Sequence, residues 1–208
     1  MRYAFRVVEA LRTMSAPYTL VEPTPVLPAC IVFSGTGSLR DVLDDLQIQK
    51  HWCGTSYVHA GFAKRARRFM RDPPVEAFVR QNDQVVFGGY SLGGAVAVLA
   101  AHGAETRRMG AVGSVYTFGA PAVGDAEFRA QYASLGLESK SHRVRLSDDV
   151  IPRLNFRFEH VGRSVVLDYD GHSVIDNHSF GRYRTEVMRH ALACASQRRR
   201  GKKKPQPR

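Results

Sequence analysis

The chain has 208 residues and a mass of 23.2 kDa, enough for one domain that buries ~70% of its unfolded surface and needs no disulfide or metal staple. Hydrophobic residues are 44% and charged residues 24%, which excludes a wholly disordered chain. The net charge is +11, but seven cations (Arg198, Arg199, Arg200, Lys202, Lys203, Lys204, Arg208) crowd the last eleven residues, and without them residues 1–197 carry only +4.

Read in chain order, Ala4, Val7, Val8 and Leu11 recur with helical spacing and predict an amphipathic helix over residues 2–14. Arg6, Glu9 and Arg12 interrupt any apolar run there, so no secretory signal is read. Pro17, Pro23, Pro25 and Pro28 impose an extended, irregular lead-in. Residues 29–34 (ACIVFS) read as a buried strand and 39–46 as a short helix. Residues 62–71 and 74–79 are expected to be helical, with Pro73-Pro74 restarting the run. A second buried strand at 84–88 leads at once into a helix at 92–105. Residues 111–118 predict a third strand, 125–135 a helix and 142–146 a fourth strand. Segments 156–159 and 164–169 are expected to pair as a hairpin across Val161-Gly162-Arg163, and 179–195 to close the body with a helix.

Apolar strands alternating with helices predict an α/β fold: a mostly parallel central sheet with helices on both faces, in one compact domain. Its parts are an N-terminal helix and Pro-rich lead-in (1–28), a core (29–197) and a disordered basic tail (198–208), in which Gly201, Pro205 and Pro207 interrupt like charges. The longest strongly apolar stretch, residues 95–101, is too short to span a bilayer. These features predict an intracellular protein, cytoplasmic or nuclear. Cys30, Cys53 and Cys194 form no C-x-x-C pair, which argues against a zinc or dithiol site.

Sites on such sheets gather at the carboxyl ends of the strands. There, Gly89-Tyr90-Ser91-Leu92-Gly93 fits G-x-S-x-G, between an apolar strand and the small, Ala-rich segment 93–97. A nucleophilic serine needs such a turn: glycines let the backbone close up, and the following helix N-terminus offers N–H groups to an oxyanion. It also needs a base and an orienting acid, which follow in the order Ser, Asp or Glu, His. Asp148 and Asp149 stand after the fourth strand, and His172 and His178 lie farther on in loops, whereas His160 and His190 fit less well. The residues alone do not separate Asp148 from Asp149, or His172 from His178.

Several ordered motifs resemble the class 3 lipases, fungal-type triacylglycerol lipases with an α/β-hydrolase fold. Ile31-Val32-Phe33-Ser34-Gly35-Thr36 is similar to the family's strand ending F-R-G-[S/T], and Val58-His59-Ala60-Gly61-Phe62 to V-H-x-G-F. Ser91-Leu92-Gly93-Gly94 matches S-L-G-G, and residues 117–125 resemble T-F-G-x-P-R-V-G-[D/N]. The resemblance implies Asp149, which precedes Val150-Ile151-Pro152, as the acid and His178 as the base. It implies Thr36 and Leu92 as oxyanion donors, and a lid segment with Leu39, Val42, Leu43 and Leu46 on one apolar stripe. Tyr90 replaces a common His, Ser34 and Ala122 replace Arg, and Val42 replaces Trp.

The activity implied is hydrolysis of lipid or small acyl esters through an acyl-enzyme, with no metal or organic cofactor. A phospholipase or acyltransferase uses the same triad. A different class of function, binding of an anionic membrane surface or nucleic acid through residues 198–208, follows from the charge alone.

Overall fold

The protein is described by a computed structural model covering residues 3–35, 50–53, 55–110, 112–154, 157–171 and 173–201. A six-stranded sheet with the order β1-β2-β5-β6-β7-β8 forms its centre. The strands are β1 (Tyr18–Val21), β2 (Ala29–Phe33), β5 (Val85–Tyr90), β6 (Val112–Phe118), β7 (Ser141–Leu146) and β8 (Arg163–Leu167). β1 pairs antiparallel to β2, and every other pairing is parallel. β2 is buried along its whole length, as its unbroken apolar run requires of a parallel strand covered on both faces.

One face carries α2 (Ala60–Met70), α3 (Pro73–Gln81) and α4 (Leu92–Thr106), packed on Ile31, Phe33, Phe87 and Val115. The other carries α1 (Ala4–Thr13) and α8 (Phe180–Gly201), packed on Val32, Val86, Phe118 and Val144. α4 is apolar nearly all round because it lies in the centre of its layer. Shorter elements complete the chain: α5 (Ala126–Ser134), α6 (Leu137–Lys140), a 3-10 turn (Ile151–Arg153) and α7 (Val174–Asn177).

The α/β fold, the four internal strands and the main helices follow the sequence expectation; four features do not. β1 falls in the lead-in expected to be irregular. It is a four-residue edge strand, half-buried throughout, so it lacks the apolar alternation that marks a strand. A separate two-stranded ribbon, β3 (Lys50–Cys53) with β4 (Ser56–His59), also went unread. Its two-residue connection Gly54-Thr55 is the signal that was available.

The expected hairpin across Val161-Gly162-Arg163 is not formed. Glu159 instead bridges Gly124, while Arg163–Leu167 joins the main sheet parallel to β7. Val165 and Leu167 thereby pair with Val144 and Leu146 and cover the edge of β7 that a local hairpin leaves open. α8 runs beyond residue 195 to Gly201, so the first residues of the basic tail, expected to be disordered, are helical. Residues 202–208 lie outside the described residues, as does the helix expected at 39–46. Among the described residues, no helix is long and apolar enough to cross a membrane.

Candidate active site

β5 ends in Gly89-Tyr90 and α4 begins at Leu92, so Ser91 alone makes the strand-to-helix turn. Its φ of 54° and ψ of −126° lie in a region that residues with a Cβ rarely occupy. The turn closes tightly. A Cβ at Gly93 would stand 2.1 Å from the Phe33 carbonyl oxygen, and one at Gly89 would stand 2.2 Å from Gly93. Only glycine fits at either position. The Ser91 N–H donates to the Phe118 carbonyl at 2.8 Å, which fastens the turn to β6.

The acid comes from the turn after β7. Asp149 is fully buried, and its Oδ1 accepts the Ile151 N–H at 3.0 Å. Its neighbour Asp148 is exposed, with its carboxylate 3.4 Å from the Gly171 N–H. The base comes from the loop before α8. His178 Nδ1 lies 2.8 Å from Asp149 Oδ2, and its Nε2 lies 2.8 Å from Ser91 Oγ. Ser91 is 1% exposed and His178 5%. The structure thus brings together Ser91, His178 and Asp149. Thr36, His172 and the candidate lid residues Leu39, Val42, Leu43 and Leu46 lie outside the described residues. Leu92 opens α4, so its N–H has no acceptor within its own helix and stays near the serine.

Two tyrosines support the site in ways sequence reasoning missed. Tyr183, fully buried on α8, donates its hydroxyl to Asp149 Oδ2 at 2.5 Å and accepts the Leu146 N–H at 3.2 Å. Burial, and then the neighbouring Asp149 charge, push its phenol well above the usual range, so it remains a donor. Tyr90 stacks on the His178 ring, with centroids 5.1 Å apart and planes at 27°, and donates its hydroxyl to the His178 main-chain carbonyl. Burial holds that phenol protonated too. The signal for Tyr90 was its place in the G-x-S-x-G motif; nothing local marked the reach of Tyr183.

Tyr183→Phe is expected to destabilise the fold by ~1–3 kcal/mol, because the buried Leu146 N–H loses its acceptor. Denaturant unfolding measures it, and an unchanged midpoint would contradict the bond.

Among the described residues, no group of three or more His, Cys, Asp or Glu side chains is placed to hold a metal ion. A serine on a strained elbow, hydrogen-bonded to a histidine that a buried carboxylate orients, is the constellation of acyl transfer through a covalent intermediate. Fold and site together define a serine ester hydrolase of the α/β-hydrolase class. Residues 30–159 match the family described as Lipase (class 3), and the chain belongs to the class 3 lipase family.

Solved lipases share the fold. A lipase from Rhizopus microsporus var. chinensis is 23% identical over 81% of this chain and 71% of its own, with a TM-score of 0.62. Rhizomucor miehei triacylglyceride lipase is 23% identical over 79% of this chain and 77% of its own, at 0.64. A triacylglycerol lipase whose catalytic centre is formed by a serine protease triad is 28% identical, at 0.60. That match covers 67% of this chain and 57% of the lipase.

Proposed function

We propose that the protein hydrolyses acyl esters of lipids, triacylglycerols among them, with Ser91 as nucleophile, His178 as general base and acid, and Asp149 as the orienting carboxylate. The observation that carries this reading is the unbroken chain Ser91 Oγ–His178 Nε2 and His178 Nδ1–Asp149 Oδ2, each link 2.8 Å. His178 takes the proton from Ser91 Oγ as the oxygen attacks the ester carbonyl. Asp149 holds the imidazole in the tautomer with its proton on Nδ1 and stabilises the imidazolium that forms. The alcohol leaves with a proton from His178. Water, deprotonated by the same imidazole, then releases the fatty acid and restores Ser91.

The oxyanion is assigned to the Leu92 and Thr36 N–H groups. In support, a Cβ placed on Gly35, the residue before Thr36, would stand 3.6 Å from Ser91 Cβ, so the end of β2 brings the chain to the nucleophile. Each such donor contributes ~3–4 kcal/mol to the transition state. A panel of p-nitrophenyl esters, run with and without a lipid interface, tests the reading. Turnover that depends on Ser91 and labelling of Ser91 by a fluorophosphonate are expected; an unlabelled Ser91 in folded protein refutes it.

A second reading concerns residues 198–208 only: electrostatic contact with an anionic membrane surface or nucleic acid, favoured by their seven basic residues and lack of acidic ones. Association with anionic vesicles or DNA is expected to weaken steeply with salt and to disappear when residues 198–208 are deleted. Equal binding by the truncated protein contradicts it.

A further inference from the structure

β7 divides its side chains between the two faces of the sheet. Val144 and Leu146 join the apolar cluster under α1 and α8, which turns Arg143 and Arg145 to the opposite face. On that face a cavity of about 300 Å³ opens between β7 and residues 152–154, 158 and 160. Arg143, Arg145, Arg153 and His160 line it, with Ala122 and Phe158. Ala122 stands where the resembling motif carries arginine, so the room that side chain takes is free here, and the charge comes from β7 instead.

Among the described residues these cations form no ion pair, and Glu138 acts on Arg143 only through space. Arg143 Nε and Arg145 Nη1 are buried without a hydrogen-bond partner. Among the described residues none of the three arginines pairs with a carboxylate, and Arg153 donates only to the Ser147 carbonyl, at 2.7 Å. The acidic groups close by are engaged elsewhere: Glu138 accepts the Gly162 N–H at 2.8 Å, and Glu159 binds Arg129 at 3.1 Å. His160 donates through Nε2 to the Pro152 carbonyl at 2.6 Å. Burial first, and then Arg143 and Arg145, push that imidazole down to about 4, so it adds no charge at neutral pH. Burial and Arg145 also press Arg143 below its ordinary range. Guanidinium groups that line one cavity, two of them half-buried with an unpaired buried nitrogen and the third exposed at its rim, are arranged for an anion that supplies oxygens to several forks at once.

We propose that Arg143, Arg145 and Arg153 form a binding site for a phosphate group beside the triad. A carboxylate fills one guanidinium fork, whereas a phosphate offers three or four oxygens and up to two charges and can engage all three side chains. The site adjoins the triad from its acid side. Ile151, whose N–H holds Asp149, is followed directly by Pro152 in the cavity wall. Arg143 is the register partner of Thr117, against which Gly94 of the elbow helix packs. The phosphate is either free in solution or carried by the headgroup of an ester lipid. The headgroup source rests on the lipid-ester reading above; the binding itself does not.

The test is thermal unfolding with inorganic phosphate against sodium chloride at equal ionic strength, on wild type and on Ser91→Ala, which keeps the measurement independent of hydrolysis. Both proteins are expected to gain ~5–10 °C in Tm at a hundred-fold excess over Kd. The double variant Arg143→Gln/Arg145→Gln is expected to lose the response and, without phosphate, to melt no lower than wild type, since it sheds unpaired buried charge. A purely structural role predicts a lower Tm instead.

Ala122→Glu keeps both arginines and offers them an internal carboxylate, so it is expected to abolish the phosphate response even if the double variant fails to fold. Glycerol 3-phosphate and short-chain phosphatidic acid, added to Ser91→Ala, separate the sources: tighter binding than inorganic phosphate assigns a headgroup, and equal or weaker binding assigns the free ion. No response of wild type beyond chloride, or an undiminished response in either variant, overturns the site.

Discussion

Replacing Ser91 by alanine is expected to lower kcat on a p-nitrophenyl ester by roughly 10⁶-fold, leaving the residual ~10³–10⁴-fold over water that binding and the oxyanion donors supply. KM should move little, because the hydroxyl acts in the transition state rather than in ground-state binding. The same position predicts a stability gain. Ser91 holds φ 54° and ψ −126°, a conformation that costs a residue with a Cβ ~1–3 kcal/mol. Ser91→Gly removes that strain and returns ~0.5–1 kcal/mol of it as extra chain entropy. A net rise in Tm of ~2–4 °C is therefore expected for Ser91→Gly over wild type, with the same loss of turnover. An inactive glycine variant that melts lower than wild type would mean that the turn is not strained.

The elbow is also the part of the site most open to reading from sequence, for the same physical reason. Its requirements are local: a strand, a glycine where Gly93 crowds it, a serine, and a glycine where Phe33 crowds it. The two glycines and the serine lie within five consecutive residues, directly at the end of the strand. The acid is different. Asp148 and Asp149 share one turn, and what separates them is long-range: a tyrosine from α8, the Ile151 N–H, and burial that takes in one carboxylate and leaves the other outside. The residues left that choice open, and the likeness to the lipase motifs pointed to the aspartate that the structure places against His178.

The arginine cavity was legible only in half. The sequence of β7, Ser141-His142-Arg143-Val144-Arg145-Leu146, alternates as a strand with one polar face. Whether that face meets solvent, a carboxylate or a cavity depends on residues outside the strand, Ala122 before it and residues 152–154, 158 and 160 after it. The missed β1 and the misassigned β8 have a related cause. Edge and closing strands are chosen by which sheet edge is left uncovered, and no window of a few residues contains that information.

That dependence on long-range placement makes the two adjacent aspartates a direct test of the site. Asp149→Asn is expected to reduce kcat by ~10⁴-fold with little change in KM. The amide keeps the shape of the carboxylate, yet its Nδ2–H donates to His178 Nδ1 where Asp149 Oδ2 now accepts. The imidazole is then held in the wrong tautomer, its proton on Nε2 facing Ser91 Oγ, and cannot receive the serine proton. The imidazolium of the transition state also loses its counter-charge 2.8 Å away, at a place shut off from water. An amide suits neither end of this carboxylate, because its NH2 group meets the Tyr183 hydroxyl at the Oδ2 position and the Ile151 N–H at the Oδ1 position, both of which donate. Asp148→Asn exchanges an exposed carboxylate for an amide, and its effect should stay within ~0.5 kcal/mol, or about two-fold in kcat. Comparable losses in the two variants, or the larger loss in Asp148→Asn, would move the orienting acid by one residue and break the chain from Ser91 through His178.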